Sequence, residues 1–141
     1  SSSDGHTVAD FDGDGYDEIL FWNPGGGWAA IQKFNSNNNT WNTIWQNGGS
    51  GYIGGWQMNN GDKIVSGNFE TSSSNIDILA VSSGGNAGIL TYNNGTWTTD
   101  WYNNGNQYID NWGINSDDKY QSLNGTLLFL QSSGMTKTYS K

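Results

Sequence analysis

Short apolar segments alternate with polar turns along nearly the whole chain. EILFW (18–22), AAIQKF (29–34), DILAV (77–81), AGILTY (87–92) and TLLFL (126–130) are each the length of a strand, and TWNTIW (40–45) and TWTTDW (96–101) alternate large and polar residues. Between them stand PGGG (24–27), NSNNN (35–39), SSGGN (82–86) and NNG (93–95), the residue types that accept the left-handed geometry of tight turns. Period-two alternation bounded by such turns predicts antiparallel strands, and no stretch carries the 3.6-residue period of a helix. The expectation is an all-β chain of hairpins.

The pattern repeats every 56 residues. NNNTWNTIWQNGGSGYIGGWQMNNGDK (37–63) lies without a gap over NNGTWTTDWYNNGNQYIDNWGINSDDK (93–119), and about half of the aligned positions are identical. Upstream, AAIQKF answers AGILTY and EILFW answers DILAV, with length changes confined to loops. A third copy opens at DKYQSLNGTLLFLQSSGMTKTYSK (118–141). Each copy reads as four short strands: one before an acidic loop, one after it, one around Ile31 or Ile89, and one around Trp41 or Trp97. Four antiparallel strands per repeat make the blade of a β-propeller. The division is a flexible tail at 1–6, a first blade with its connector at 7–62, a second at 63–118, and a partial third at 119–141. About two and a half blades fall short of the roughly 4–8 that close a ring. Either copies associate through open blade edges or the chain is a piece of a longer protein.

The sharpest chemical feature is DFDGDGYDE (10–18). Asp10, Asp12 and Asp14 alternate, and Gly15 permits a tight turn, so several carboxylates converge on one point as a hard cation requires. An EF-hand opens with similar spacing, but the twelfth position from Asp10 is Phe21 rather than a bidentate Glu, and both flanks are strand-like. Set between strands, VADFDGDGYDEILFW resembles the FG-GAP or VCBS calcium loop of integrin-α-like propellers and related propeller lectins. That resemblance implies Ca2+ held by Asp10, Asp12, Asp14, the Tyr16 carbonyl and Glu18, with Asp17 as a neighbour. The second copy, NFETSSSNID (68–77), keeps only Asn68, Glu70 and Asp77, and the third has shortened the loop to SLNGTLL. One strong site and at best a degenerate second are expected.

Composition narrows the function classes. Net charge is −8, from 13 acids against 5 lysines with no arginine, so a phosphate backbone would be repelled and nucleic acid is an unsuitable partner. Cysteine is absent, which removes disulfides and thiolate metal sites, and no apolar run is long enough for a membrane helix. Asn-, Gly- and Trp-rich stretches point to a secreted or extracellular protein, and N-x-T sequons stand at Asn38, Asn94 and Asn124.

Eight tryptophans admit two readings, core packing or sugar platforms. Trp41, Trp97, Trp45 and Trp101 recur on the outer strand, as packing residues would. Tyr52, Trp56, Tyr108 and Trp112 lie in the connectors between blades, where the resembled lectins hold glycans, and Trp28 is a further candidate platform. Catalytic machinery is meagre: the single histidine, His6, falls in the expected tail, and Asp62 and Asp118 recur before Lys63 and Lys119 as a turn device would. The sequence therefore reads as a non-enzymatic, calcium-binding module for glycans or a protein partner, with a structural or self-assembling module as the alternative.

Overall fold

The computed structural model describes residues 4–69, 75–123, 126–131 and 136–139, and none of these is helical. Strands β1 (Gly5–Ala9), β2 (Glu18–Asn23), β3 (Trp28–Asn35) and β4 (Thr40–Gln46) form an antiparallel meander in chain order. A two-stranded ribbon follows, β5 (Tyr52–Ile53) with β6 (Trp56–Gln57). A second meander takes β7 (Lys63–Gly67), β8 (Asp77–Val81), β9 (Ala87–Asn93) and β10 (Thr96–Tyr102). The ribbon recurs as β11 (Tyr108–Ile109) with β12 (Trp112–Gly113). A three-stranded meander of β13 (Lys119–Leu123), β14 (Thr126–Leu130) and β15 (Thr136–Tyr139) ends the described chain.

One expectation is corrected at the amino end. Gly5 and His6 lie in β1, paired with Trp22 and Phe21, inside the segment the sequence assigned to a flexible tail. The physical reason is local: the Trp22 ring lies where a side chain on residue 5 would be, with a Cβ placed there only 2.2 Å from the ring. Glycine thus lets the strand run further under the tryptophan.

The first two sheets share fine detail as well as strand order. The fourth strand is bulged against the third at Ile44 in one and at Asp100 in the other, where the register shifts by one residue. Each ribbon is tied down by an asparagine after β4 or β10. The Asn47 carboxamide oxygen accepts from the backbone N–H of Ala29 and Gly49, while its NH2 donates to the carbonyls of Gly27 and Tyr52. Asn103 does the same for Ala87, Gly105, Gly85 and Tyr108. Four backbone groups that the meander leaves over are satisfied by one side chain, which accounts for the same connector path appearing twice.

Alternation on β8 shows how the sheets stack. All five of its residues are buried. Ile78 and Ala80 join Leu20, Trp22, Ile31 and Trp97 in the core between the first and second sheets. Leu79 and Val81 join Leu127 and Phe129 in the core between the second and third. The second sheet is thus covered on both faces. First strands run side by side, β7 lying between β1 and β13, and Thr7 Oγ1 meets Ser66 Oγ at 2.7 Å across the first junction.

Candidate metal centre

The β1–β2 hairpin closes on the Ala9–Glu18 pair, so residues 10–17 form its loop. Backbone donors of this loop turn inward on its own carboxylates. Asp10 Oδ1 accepts from the N–H of Gly13 and Asp14, and its Oδ2 accepts from Gly15 N–H at 2.8 Å. Asp14 Oδ1 accepts from Tyr16 N–H. Gly13 and Gly15 have φ of 77° and 90°, a conformation that costs a side-chain-bearing residue strain, and this is why glycine serves at these two points. Strands flank the loop on both sides, as expected when the EF-hand was set aside.

Glu18 is fully buried at the base of the loop. Its Oε2 accepts from the N–H of Phe11 at 2.9 Å and of Asp12 at 3.3 Å, whereas Oε1 is buried with no hydrogen-bond donor. Burial pushes the Glu18 carboxyl above its ordinary pKa, against the pull of those two N–H groups and of Lys33. Carboxylate oxygens of Asp10, Asp12 and Glu18 lie within 4.8 Å of one another. Three gathered carboxylates, one of them buried with an oxygen that lacks a donor, fit a hard divalent cation in donor chemistry.

Of the five residues expected from the sequence, the fold therefore gathers Asp10, Asp12 and Glu18. Asp14 joins them through a shared partner that the sequence did not suggest. Lys33, on β3, places Nζ 2.5 Å from Asp12 Oδ2, 2.5 Å from Asp14 Oδ2 and 3.7 Å from Glu18 Oε1. The ammonium holds Asp14 below the usual carboxylate range, and the hydrogen bonds to Asp12 and Asp14 raise Lys33 above its own ordinary value. Tyr16 presents its ring to solvent.

No family model and no curated protein matches the chain.

The second copy of the loop closes on a different acid. Asp77 stands where Glu18 stands and is also fully buried. Its Oδ2 accepts from Phe69 N–H at 2.7 Å, and its Oδ1 accepts from the Thr91 hydroxyl at 2.7 Å. Glu70, the other acid expected to persist there, lies outside the described residues. In the third copy the hairpin closes on Leu123 and Thr126, and the carboxylate position has become Thr126.

The aromatic candidates divide by burial. Trp56 and Trp112 are buried, and each donates its indole N–H to Asp62 Oδ2 at 2.9 Å or Asp118 Oδ2 at 3.4 Å. The same oxygens accept from Asn59 N–H and Asn115 N–H across the turn before β7 or β13. Both rings are largely enclosed and serve packing, and Trp56 also contributes to the wall of a groove beside Tyr52. Tyr52, Tyr108 and Trp28 are exposed. Tyr52 and Trp56 line a groove of about 460 Å³ between the first ribbon and the second sheet, together with Gln57, Asn59, Asn86, Thr99 and Tyr102. Sequence reasoning missed Tyr102 and Asn86, because only the fold brings β10 and the β8–β9 turn to the ribbon.

Proposed function

We propose that the protein is a calcium-stabilised β-propeller module of FG-GAP or VCBS type that binds uncharged glycans outside the cell. The observation that carries the calcium half is Glu18, a fully buried carboxylate gathered with those of Asp10 and Asp12, whose Oε1 has no hydrogen-bond donor. Asp10, Asp12 and Glu18 would hold the ion, and Asp14 and the Tyr16 carbonyl are retained from the family resemblance. Oxygen donors on a loop with two glycine turns suit calcium, with its tolerant geometry, better than magnesium. Bound calcium ties the β1–β2 hairpin, so its role is stability. Thermal unfolding followed by circular dichroism tests this: calcium at about a hundred times its Kd should add about 2.7 kcal/mol, and EDTA should remove it. A melt indifferent to both removes the calcium reading.

Consecutive meander sheets with their first strands side by side support the propeller architecture. For the glycan half, the groove beside Tyr52 offers aromatic faces at Tyr52 and Tyr102, amides and hydroxyls, and no charged side chain. That chemistry suits a neutral sugar ring, with its apolar face and hydroxyl edge, better than a charged one. Saccharide titration followed by tryptophan fluorescence should give a signal that Tyr52→Ala or Tyr102→Ala abolishes. Silence toward every neutral saccharide would end the glycan reading and leave the calcium reading intact.

A second reading, self-assembly, rests on a separate observation. Trp97 is 6% exposed and Tyr92 4% where the second sheet packs on the first, yet their counterparts Trp41 and Phe34 are 54% and 46% exposed. Phe21, counterpart of the buried Ala80, is open as well. The first sheet thus presents the face by which a sheet of this repeat receives a neighbour, and a second copy supplies such a neighbour. Sedimentation analysis should show association that Trp41→Ser with Phe21→Ser reduces, and a wild-type monomer at high concentration would exclude it.

A further inference from the structure

We propose that Lys33 is a resident cation of the acidic loop, and that a divalent ion enters only by exchanging with its ammonium. This rests on the calcium reading above and deepens it. The second, independent sign that the acidic loop is a cation site is the buried Glu18 Oε1, which has no hydrogen-bond donor and faces the ammonium at 3.7 Å.

The register explains why Lys33 is the residue involved. The β2–β3 ladder pairs Ile19 with Gln32, so the next step outward places Lys33 across from Glu18. In the second sheet the equivalent pair is Asp77 with Thr91, and there the Thr91 hydroxyl donates directly to the buried carboxylate. One position on the third strand therefore serves the buried acid in both sheets. In the second that position carries a neutral hydroxyl. In the first, Asp12, Asp14 and Glu18 surround a positive charge. Asp12 and Glu18 are also two of the three acids whose carboxylates gather within 4.8 Å, so a divalent ion held by those acids and the ammonium in its present place would repel each other at short range. The long, flexible lysine stem lets the ammonium swing to solvent when the ion arrives. Lys33 is thereby the residue that sets affinity for calcium, while its own contacts keep the loop folded when calcium is scarce.

Calcium titration by calorimetry on the wild type, Lys33→Thr and Lys33→Met tests the exchange. Both variants should bind calcium about tenfold or more tightly than the wild type, and their melting temperatures in EDTA should fall below that of the wild type. A measurement on the unaltered protein guards against misfolded variants: acetylation of lysines by acetic anhydride, read by mass spectrometry. Lys33 should react faster when calcium is saturating, while Lys63, whose ammonium donates to the carbonyls of Ser116 and Asp118, should not change. Equal affinities in wild type and variants, or Lys33 reactivity indifferent to calcium, would overturn the exchange and leave the calcium site standing. Failure of all three proteins to bind calcium would overturn both.

Discussion

The first and second loops hold a buried carboxylate in the same place and treat it differently. Glu18 and Asp77 each accept a backbone N–H from the phenylalanine at the start of the loop, Phe11 or Phe69. That shared bond makes the carboxylate part of how the hairpin closes. What differs is the second oxygen, which receives the Thr91 hydroxyl in one loop and faces an ammonium among further acids in the other. The comparison teaches that the closing acid is structural in both sheets, and that the alternating aspartates are an addition to it.

Removing the acid from each loop breaks the comparison most directly. Asp77→Ala strips partners from the Phe69 N–H and the Thr91 hydroxyl and should cost about 3 kcal/mol in denaturant melts, equally with calcium or EDTA. Glu18→Ala should cost a similar amount in calcium, and its melt should no longer respond to EDTA. A calcium-dependent cost at Asp77 would erase the distinction between the loops. Thr91→Val is a milder cut, removing the one hydroxyl bond to Asp77 Oδ1, and should cost about 1 kcal/mol.

A partly buried acid, Asp62, sharpens the contrast through pH. Burial lifts Asp62 above its ordinary value near 3.8, against the bonds from Asn59 N–H and the Trp56 indole. The folded chain therefore keeps this proton to higher pH than the unfolded one, so stability falls as pH rises from the ordinary aspartate value through the folded one. Asp62→Asn removes that loss, and its melting temperature relative to wild type should climb as pH rises above the ordinary aspartate value of about 4. A constant gap would show that Asp62 ionises without cost. The smallest effect concerns the connectors, where Gly51 has φ 83° and its counterpart Gln107 has φ 65°. Gln107→Gly should stabilise the second connector by about 0.5 kcal/mol, the relief of left-handed strain less the added freedom of glycine in the unfolded chain.

Strand positions were legible because each apolar run is bounded by Gly, Asn or Pro, and the 56-residue repeat let one copy check the other. The acidic loop was legible because its ligand candidates are close in sequence. Lys33 was not, since its approach to Glu18 is set by the pairing of β2 with β3, and the same holds for Thr91 and Asp77. Asn47 and Asn103 recur in the aligned repeat, yet among so many asparagines nothing in the sequence separates the two that bind four backbone groups from those that only turn the chain. Tryptophan burial was hidden for a related reason: Trp41 and Trp97 occupy equal positions, and only the presence of a neighbouring sheet makes one of them core.

The uncovered aromatic face of the first sheet sits on a molecule of net charge −8, so attraction at short range competes with repulsion at long range. Mobile ions shorten the reach of that repulsion to about 10 Å at 0.1 M salt while leaving contact between rings untouched. Ionic strength thereby becomes a control on whether copies meet, and adhesion through Phe21, Phe34 and Trp41 should strengthen in brine and fade in dilute buffer.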